Sequence, residues 1–244
     1  MIYEKFSRTA RGGILYDASR IVKAGDELFD RDYWSAQRAI EEVSGGRGAI
    51  ALLRAGDERW VLRHYRRGGW IAKFSRDRYV WSGEARTRSF AEWRLLAELR
   101  RRALPVPAPV AARYVRQGFT YRADLITEYL PDVNTLADSI TNHALAEDRW
   151  RAVGGALAAF HREGVHHADL NAHNILLHLD GVGPRVHVLD FDRGRIRDRG
   201  PWEGAVLTRL RRSLEKIRRQ RHSVAFAERE WGWLIEGYEA AIRV

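Results

Sequence analysis

The sequence predicts an α+β chain in two lobes, a small β-rich N-lobe followed by a mainly helical C-lobe. Three observations carry the prediction. Strand-like apolar runs cluster ahead of residue 130, a Pro- and Asn-bearing stretch "YLPDVNTLAD" (129–138) interrupts them, and helical spacing dominates beyond it. The boundary is placed at 129/130, giving lobes 1–129 and 130–244 with a cleft where they meet. A chain of 244 residues, 45% of them apolar, is long enough to bury a core in each lobe.

Taken in order, residues 14–23 are short and mixed, a strand or irregular chain. "DRDYWSAQRAI" (30–40) reads as a helix with Asp30 or Asp32 as N-cap, because a short acidic side chain can accept from the unpaired N–H groups of the first turn. "SGGRG" (44–48) breaks that pattern. Two apolar runs flank "AGDE", so 49–65 reads as a β-hairpin, and "RRGGW" ends it. In "RSFAEWRLLAELRRRAL" (88–104), Phe90, Trp93, Leu96, Ala97 and Leu99 recur near helical spacing. "PVPAP" then stops the helix, since proline lacks the N–H a helix needs. Strand-like segments follow at 110–117 and 119–129. Past the junction, 147–164 forms a second long helix. After residue 200 the pattern is helical to the end, with Trp231, Trp233, Leu234 and Tyr238 on apolar faces.

Composition narrows the chemistry. There is no cysteine, which excludes a disulfide framework, a thiolate metal site and a cysteine nucleophile. No basic stretch followed by an apolar run opens the chain, and no window approaches the ~20 apolar residues of a membrane span. The expectation is a cytosolic protein that can still rest on a membrane surface. Lys plus Arg number 42 against 32 Asp plus Glu, a net charge of +10. Such an excess fits either ordinary solvated faces or a phosphate-bearing partner: a nucleotide, a nucleic acid or an anionic lipid headgroup.

The chemistry-bearing segment is "HHADLNAHNILL" (166–177) with "VHVLDFDRG" (186–194) downstream. It reads as loop, short strand, turn and a second strand ending in an acid. Asp190 follows Asn174 by 16 residues, so a hairpin can set the two side by side. An amide oxygen and a carboxylate are the hard ligands that Mg²⁺ on a polyphosphate prefers. Asp169, five residues before Asn174, can accept a proton from an attacking hydroxyl. This is the H-x-D-x-x-x-x-N logic of phosphoryl transfer, followed by an Asp-Phe turn. In the first half, Gly45, Gly46 and Gly48 of "SGGRG" can let backbone N–H groups approach phosphate oxygens. Glu92 on the long helix can pair with a cation from the hairpin. "LITEYL" (125–130), with Glu128 and Leu130, suits a linker whose backbone amides bind an adenine.

With these motifs assembled, the chain resembles bilobal kinases of the eukaryotic-like protein-kinase fold. More narrowly, it resembles the 3-deoxy-D-manno-octulosonic acid (Kdo) kinases of lipopolysaccharide assembly. The match rests on "VLRHYRRGG", "LPVPAP", "YRADLIT", "HADLNAHNILL", "DFDRGR" and "RLRRSLEKI", spread over residues 45–220. The resemblance implies Asp169 as the catalytic acid-base residue, Asn174 and Asp190 as Mg²⁺ ligands, and Glu92 as the helix glutamate. The strand lysine of such kinases falls on Arg63 here, with Lys73 as a rival phosphate contact. No Ala-Pro-Glu follows "DFDRGR", which disfavours a peptide acceptor and favours a small or lipid-linked one. The implied substrates are ATP and a Kdo-bearing lipid A precursor, with Mg²⁺. The implied location is peripheral, on the cytoplasmic side of the inner membrane, docked on an anionic surface without an obligate protein partner. Two rivals stay open: an aminoglycoside-type small-molecule kinase, for which an acidic pocket is expected, and a basic nucleic-acid-binding protein.

Overall fold

The structure is a computed structural model that describes residues 1–42, 50–66, 77–142, 144–178, 183–221 and 224–243. It divides into two compact units, Met1–Arg101 with Pro107–Tyr129, and Arg102–Val106 with Leu130–Val244. The Pro-bearing strip after the long helix thus packs with the second unit.

The first unit is built on one antiparallel sheet. Its strands are β1 (Glu4–Thr9), β2 (Gly12–Asp17), β3 (Ile40–Glu42), β4 (Ile50–Ala55), β5 (Glu58–His64), β6 (Tyr79–Val80), β7 (Pro109–Gln117) and β8 (Thr120–Glu128). Among the described residues they run β1-β2-β7-β8-β5-β4-β3, with β6 also on β8. The expected hairpin of 49–65 is present as β4–β5, in the register Leu53↔Trp60 and Ala55↔Glu58. Its turn needs Gly56, whose φ of +63 a side chain would resist. Within 14–23, residues 14–17 finish a strand that starts at Gly12, paired with β1 on one side and β7 on the other, and 18–23 are turn and irregular chain. The helix expected over 30–40 is shorter, α1 (Arg31–Ala36), because Ile40 starts β3. Asp30 is its cap, accepting from the Asp32 N–H at 2.9 Å.

The long helix α2 (Arg88–Arg101) packs on β7 and β8 through Phe90, Trp93, Leu96 and Leu99, each no more than 1% exposed. Burying each such side chain contributes roughly 1.5–3 kcal/mol. Glu92 shares that burial at 3% exposed, a carboxylate among apolar neighbours. Such a group persists only where it is paired.

The second unit is mainly helical. Its elements are β9 (Val133–Thr135), α3 (Leu136–Asn142), α4 (Glu147–Arg162), β10 (Val165–His166), β11 (Ile175–His178), β12 (Val186–Val188), β13 (Arg195–Ile196), α5 (Trp202–Gln220) and α6 (Glu228–Ile242). Strands β12, β11 and β9 form a small sheet, and β10 pairs with β13. Of the aromatic residues expected on apolar faces, Tyr238 is buried together with Leu234, whereas Trp231 and Trp233 are only partly covered. The latter two carry Arg211 and Arg229 over their rings, at 5.6 and 4.9 Å.

Helices α4 and α6 approach so closely that glycine is required at the crossing. A Cβ on Gly154 would lie 1.9 Å from the Leu234 carbonyl oxygen, and one on Gly237 would lie 2.2 Å from that of Arg151. Both obstacles are backbone and cannot swing aside. Gly154→Ala is therefore expected to destabilise by about 1–3 kcal/mol despite alanine's higher helix propensity. At Gly155 the nearest atoms stand 3.9 Å away, so Gly155→Ala is expected to gain somewhat under about 1 kcal/mol. Urea midpoints of the two variants should move in opposite directions. A stabilised Gly154→Ala would contradict the tight crossing.

His161 of α4 sits in the same core, 2% exposed, its Nδ1 2.8 Å from the Tyr238 hydroxyl. Burial pushes its pKa down to about 4. In the unfolded chain an imidazole titrates near 6.5. The folded state therefore binds fewer protons between those values, and stability falls as pH drops through about 6.5, the loss being complete near 4. The penalty is on the order of 3 kcal/mol. Melting curves from pH 7 to 4 should show the gap between wild type and His161→Gln closing as pH falls. A constant gap would assign the acid sensitivity elsewhere.

Candidate active site

In the second unit, the segment after β10 is organised around His167, which is 5% exposed. Its Nδ1 accepts from the Asp169 N–H at 3.2 Å, and its Nε2 donates to the Leu189 carbonyl at 2.9 Å. An imidazolium has no lone pair to accept with, so this pattern requires the neutral ring with the proton on Nε2. Burial lowers the His167 pKa, in the direction the hydrogen bonds demand. One ring thus ties the loop carrying Asp169 to the strand end that precedes Asp190.

The rest of the turn is held by amides. Asn171 Oδ1 accepts from the His173 N–H at 2.9 Å, capping a single 3₁₀ turn over Ala172–Asn174. The Asp169 carbonyl accepts from Asn171 Nδ2 at 3.0 Å and from Asn174 Nδ2 at 3.2 Å. That leaves Asn174 Oδ1 without a donor among the described residues. Strand β11 begins at Ile175, pairs with Val188 of β12, and the Leu189 N–H reaches the Asn174 carbonyl at 2.8 Å. Asn174 and Asp190 consequently flank the same end of one hairpin. Asp190 then leaves the strand with a φ of 62, a left-handed backbone that costs a non-glycine residue about 1–2 kcal/mol.

Asp169 points its carboxylate outward, 63% exposed, and pairs with Arg209 of α5 at 3.2 Å. The Ser213 hydroxyl accepts from the Ala172 N–H at 3.2 Å, fixing the same helix to the turn. Asp169, Asn171, Arg209, Arg212 and Lys216 line a pocket of about 680 Å³.

In the first unit, β5 and α2 bring together two residues singled out in the sequence. Arg63 Nη2 lies 2.5 Å from Glu92 Oε2, with side chains 23% and 2% exposed. The Tyr65 hydroxyl also donates to Glu92, in a very short contact, and accepts from Arg63 at 3.2 Å. The guanidinium further lies 4.7 Å from the Tyr65 ring centre. Glu128 is held within its own unit. Its N–H goes to the Ala108 carbonyl, its Oε1 accepts from the Ala108 N–H at 2.7 Å, and Oε2 accepts from Arg20 at 3.3 Å. The end of β8 is held by these bonds, so neither the Glu128 N–H nor its carboxylate is spare. Leu130 opens the second unit, partly exposed. Gly45, Gly46, Gly48 and Lys73 lie outside the described residues.

Two contributors escaped the sequence reading. Tyr65 had a readable signal, since residues two apart on an extended strand share a face with Arg63. Arg209 opens the quoted "RLRRSLEKI", but no local pattern ties it to Asp169, 40 residues away. His167 was visible in the motif but had no assigned task.

Metal binding can be weighed on the donor set. No group of three or more His, Cys, Asp or Glu among the described residues could cage an ion. Mg²⁺ in phosphoryl-transfer sites takes one or two protein oxygens and completes its shell with phosphate and water. An amide oxygen without a donor among the described residues, with an aspartate at the same hairpin end, fits that requirement.

The fold and this acid–amide–acid arrangement define a kinase-like protein. The solved structure "WaaP in complex with acyl carrier protein" shares the fold, with a TM-score of 0.52 over 87% of this chain and 85% of that one, at 19% identity. The model of the lipopolysaccharide kinase (Kdo/WaaP) family matches residues 31–238, and the chain belongs to that family. It is 46% identical over 234 residues to a 3-deoxy-D-manno-octulosonic acid kinase of Xanthomonas euvesicatoria pv. vesicatoria, covering 94% of this chain and 90% of the relative. Kinases of the same name from Xanthomonas axonopodis pv. citri and Stenotrophomonas maltophilia are 45% and 44% identical, again over 94% of this chain and 90% of each relative.

Proposed function

We propose that this chain transfers the γ-phosphoryl group of ATP to a hydroxyl of a Kdo residue carried on a lipid A precursor. The observation that carries the reading is the set Asp169, Asn174 and Asp190, held in register by His167, in a chain close to half identical to enzymes named for Kdo phosphorylation. Asp169 orients the acceptor hydroxyl and takes its proton as the new P–O bond forms and ADP departs. Its carboxylate is 63% exposed while its backbone is pinned at both ends, so the group is presented without being loose. In the first unit, Arg63 grips the α- and β-phosphates and is oriented by Glu92 and Tyr65. Asn174 and Asp190 would hold Mg²⁺, which when bound neutralises charge on the phosphates.

Positioning and charge stabilisation are most of what phosphoryl transfer asks of a protein. The basic residues beside Asp169 oppose a cationic, aminoglycoside-type acceptor. No helix among the described residues is long and apolar enough to cross a membrane. A peripheral position on the anionic cytoplasmic face of the inner membrane suits a net charge of +10.

The test is turnover of purified chain with ATP and Kdo-bearing lipid A precursor, the product read by mass. One added phosphate on the Kdo moiety is expected. ATP consumption that depends on an aminoglycoside and not on the Kdo acceptor would overturn the assignment.

A further inference from the structure

Helix α5 carries Arg209, Arg212, Ser213 and Lys216 at spacings of three, one and three residues, which places them on one face. That face is fixed against the proposed catalytic turn at two points, Ser213 to the Ala172 N–H and Arg209 to Asp169. Two other cations of this helix and its approach are paired with nearby acids, Arg199 with Glu203 at 3.0 Å, and Arg211 with Glu215 at 3.1 Å and with Glu228. Arg218 and Arg219 at its far end do not line the pocket with Asp169. Arg212 and Lys216 instead face the pocket with no carboxylate partner among the described residues. The pocket of about 680 Å³ is in the range that holds a small ligand and begins at the Asp169 carboxylate.

Resting on the proposed acceptor, we infer that Arg209, Arg212 and Lys216 form the site for the carboxylate of the acceptor sugar acid. An octulosonic acid bears its carboxylate and its hydroxyls on one residue. A hydroxyl held by Asp169 therefore keeps that carboxylate close to the same turn, whereas the phosphates of the lipid carrier sit on other sugars. Arg209 already binds one carboxylate, that of Asp169. An arriving acid group competes for that guanidinium and frees Asp169 to face the hydroxyl. Acceptor recognition and exposure of the base then occur together.

The experiment compares wild type with the double variant Arg212→Ala/Lys216→Ala on two acceptors: the Kdo-bearing lipid A precursor, and the same precursor with the Kdo carboxylate converted to a carboxamide. Both substitutions are on the exposed side of α5. For the acid acceptor the double variant is expected to raise KM about tenfold or more, the scale of a lost charged contact. For the carboxamide it should change little, and KM for ATP should stay the same with both. Equal losses on the two acceptors, or no loss on either, would overturn the carboxylate site while leaving the kinase reading standing. So would a loss that disappears when the lipid A phosphates are removed and persists when the carboxylate is masked. If wild type phosphorylates neither acceptor, the acceptor reading falls by itself. NMR titration with the free sugar acid then decides the site: binding by wild type that the double variant loses upholds it, and binding by both or by neither rejects it.

Discussion

Asp169→Ala is expected to lower turnover by roughly 10²-fold or more, the usual worth of a positioned general base, with little change in folding. The fold should survive because the side chain is 63% exposed and its ion pair with Arg209 joins two solvated groups. Such surface pairs contribute at most about 1 kcal/mol. The bonds that shape the turn use the Asp169 N–H and carbonyl, which alanine retains. Thermal melting and ATP binding should therefore match wild type while kcat collapses on the Kdo acceptor. Near wild-type kcat would remove Asp169 from the chemistry and leave it as a surface partner of Arg209.

The second large effect is expected at Arg63, where phosphate binding and stability meet. Arg63→Ala should reduce kcat/KM for ATP by about 10- to 150-fold, the equivalent of ~1.5–3 kcal/mol for a contact between charged groups. It should also lower the melting temperature, because the buried Glu92 carboxylate, 3% exposed, loses the Arg63 guanidinium. The two effects can be separated. Adding Glu92→Gln to Arg63→Ala removes the buried charge that has lost this guanidinium, so part of the stability should recover while ATP use should not. Arg63→Lys should restore much of both, since a point charge can pair with Glu92 and reach phosphate without the bidentate fork. Lys73→Ala should be comparatively mild. A crippling Lys73→Ala beside a tolerated Arg63→Ala would confine Arg63 to anchoring α2 on the sheet.

Much about this protein was determined by the sequence alone, wherever the controlling interaction is local. The β4–β5 hairpin follows from two apolar runs around Gly56, the α1 cap from Asp30, and the end of α2 from the prolines beyond it. The spacing of Asp169, Asn174 and Asp190 is likewise readable, because one short turn and one hairpin set where those groups emerge. Local rules failed where a distant element intervened. α1 stops early because Ile40 is taken by the sheet. The first hairpin gains its place only by pairing β2 with β7, about a hundred residues on. Only the tertiary structure decided that Arg209 meets Asp169, that Tyr65 joins Arg63 on Glu92, and that Gly154 and Gly237 admit two helix backbones into contact. Short-range spacing fixes which face a side chain occupies, but the partner on that face is chosen by packing between elements far apart in the chain, a choice no local pattern records.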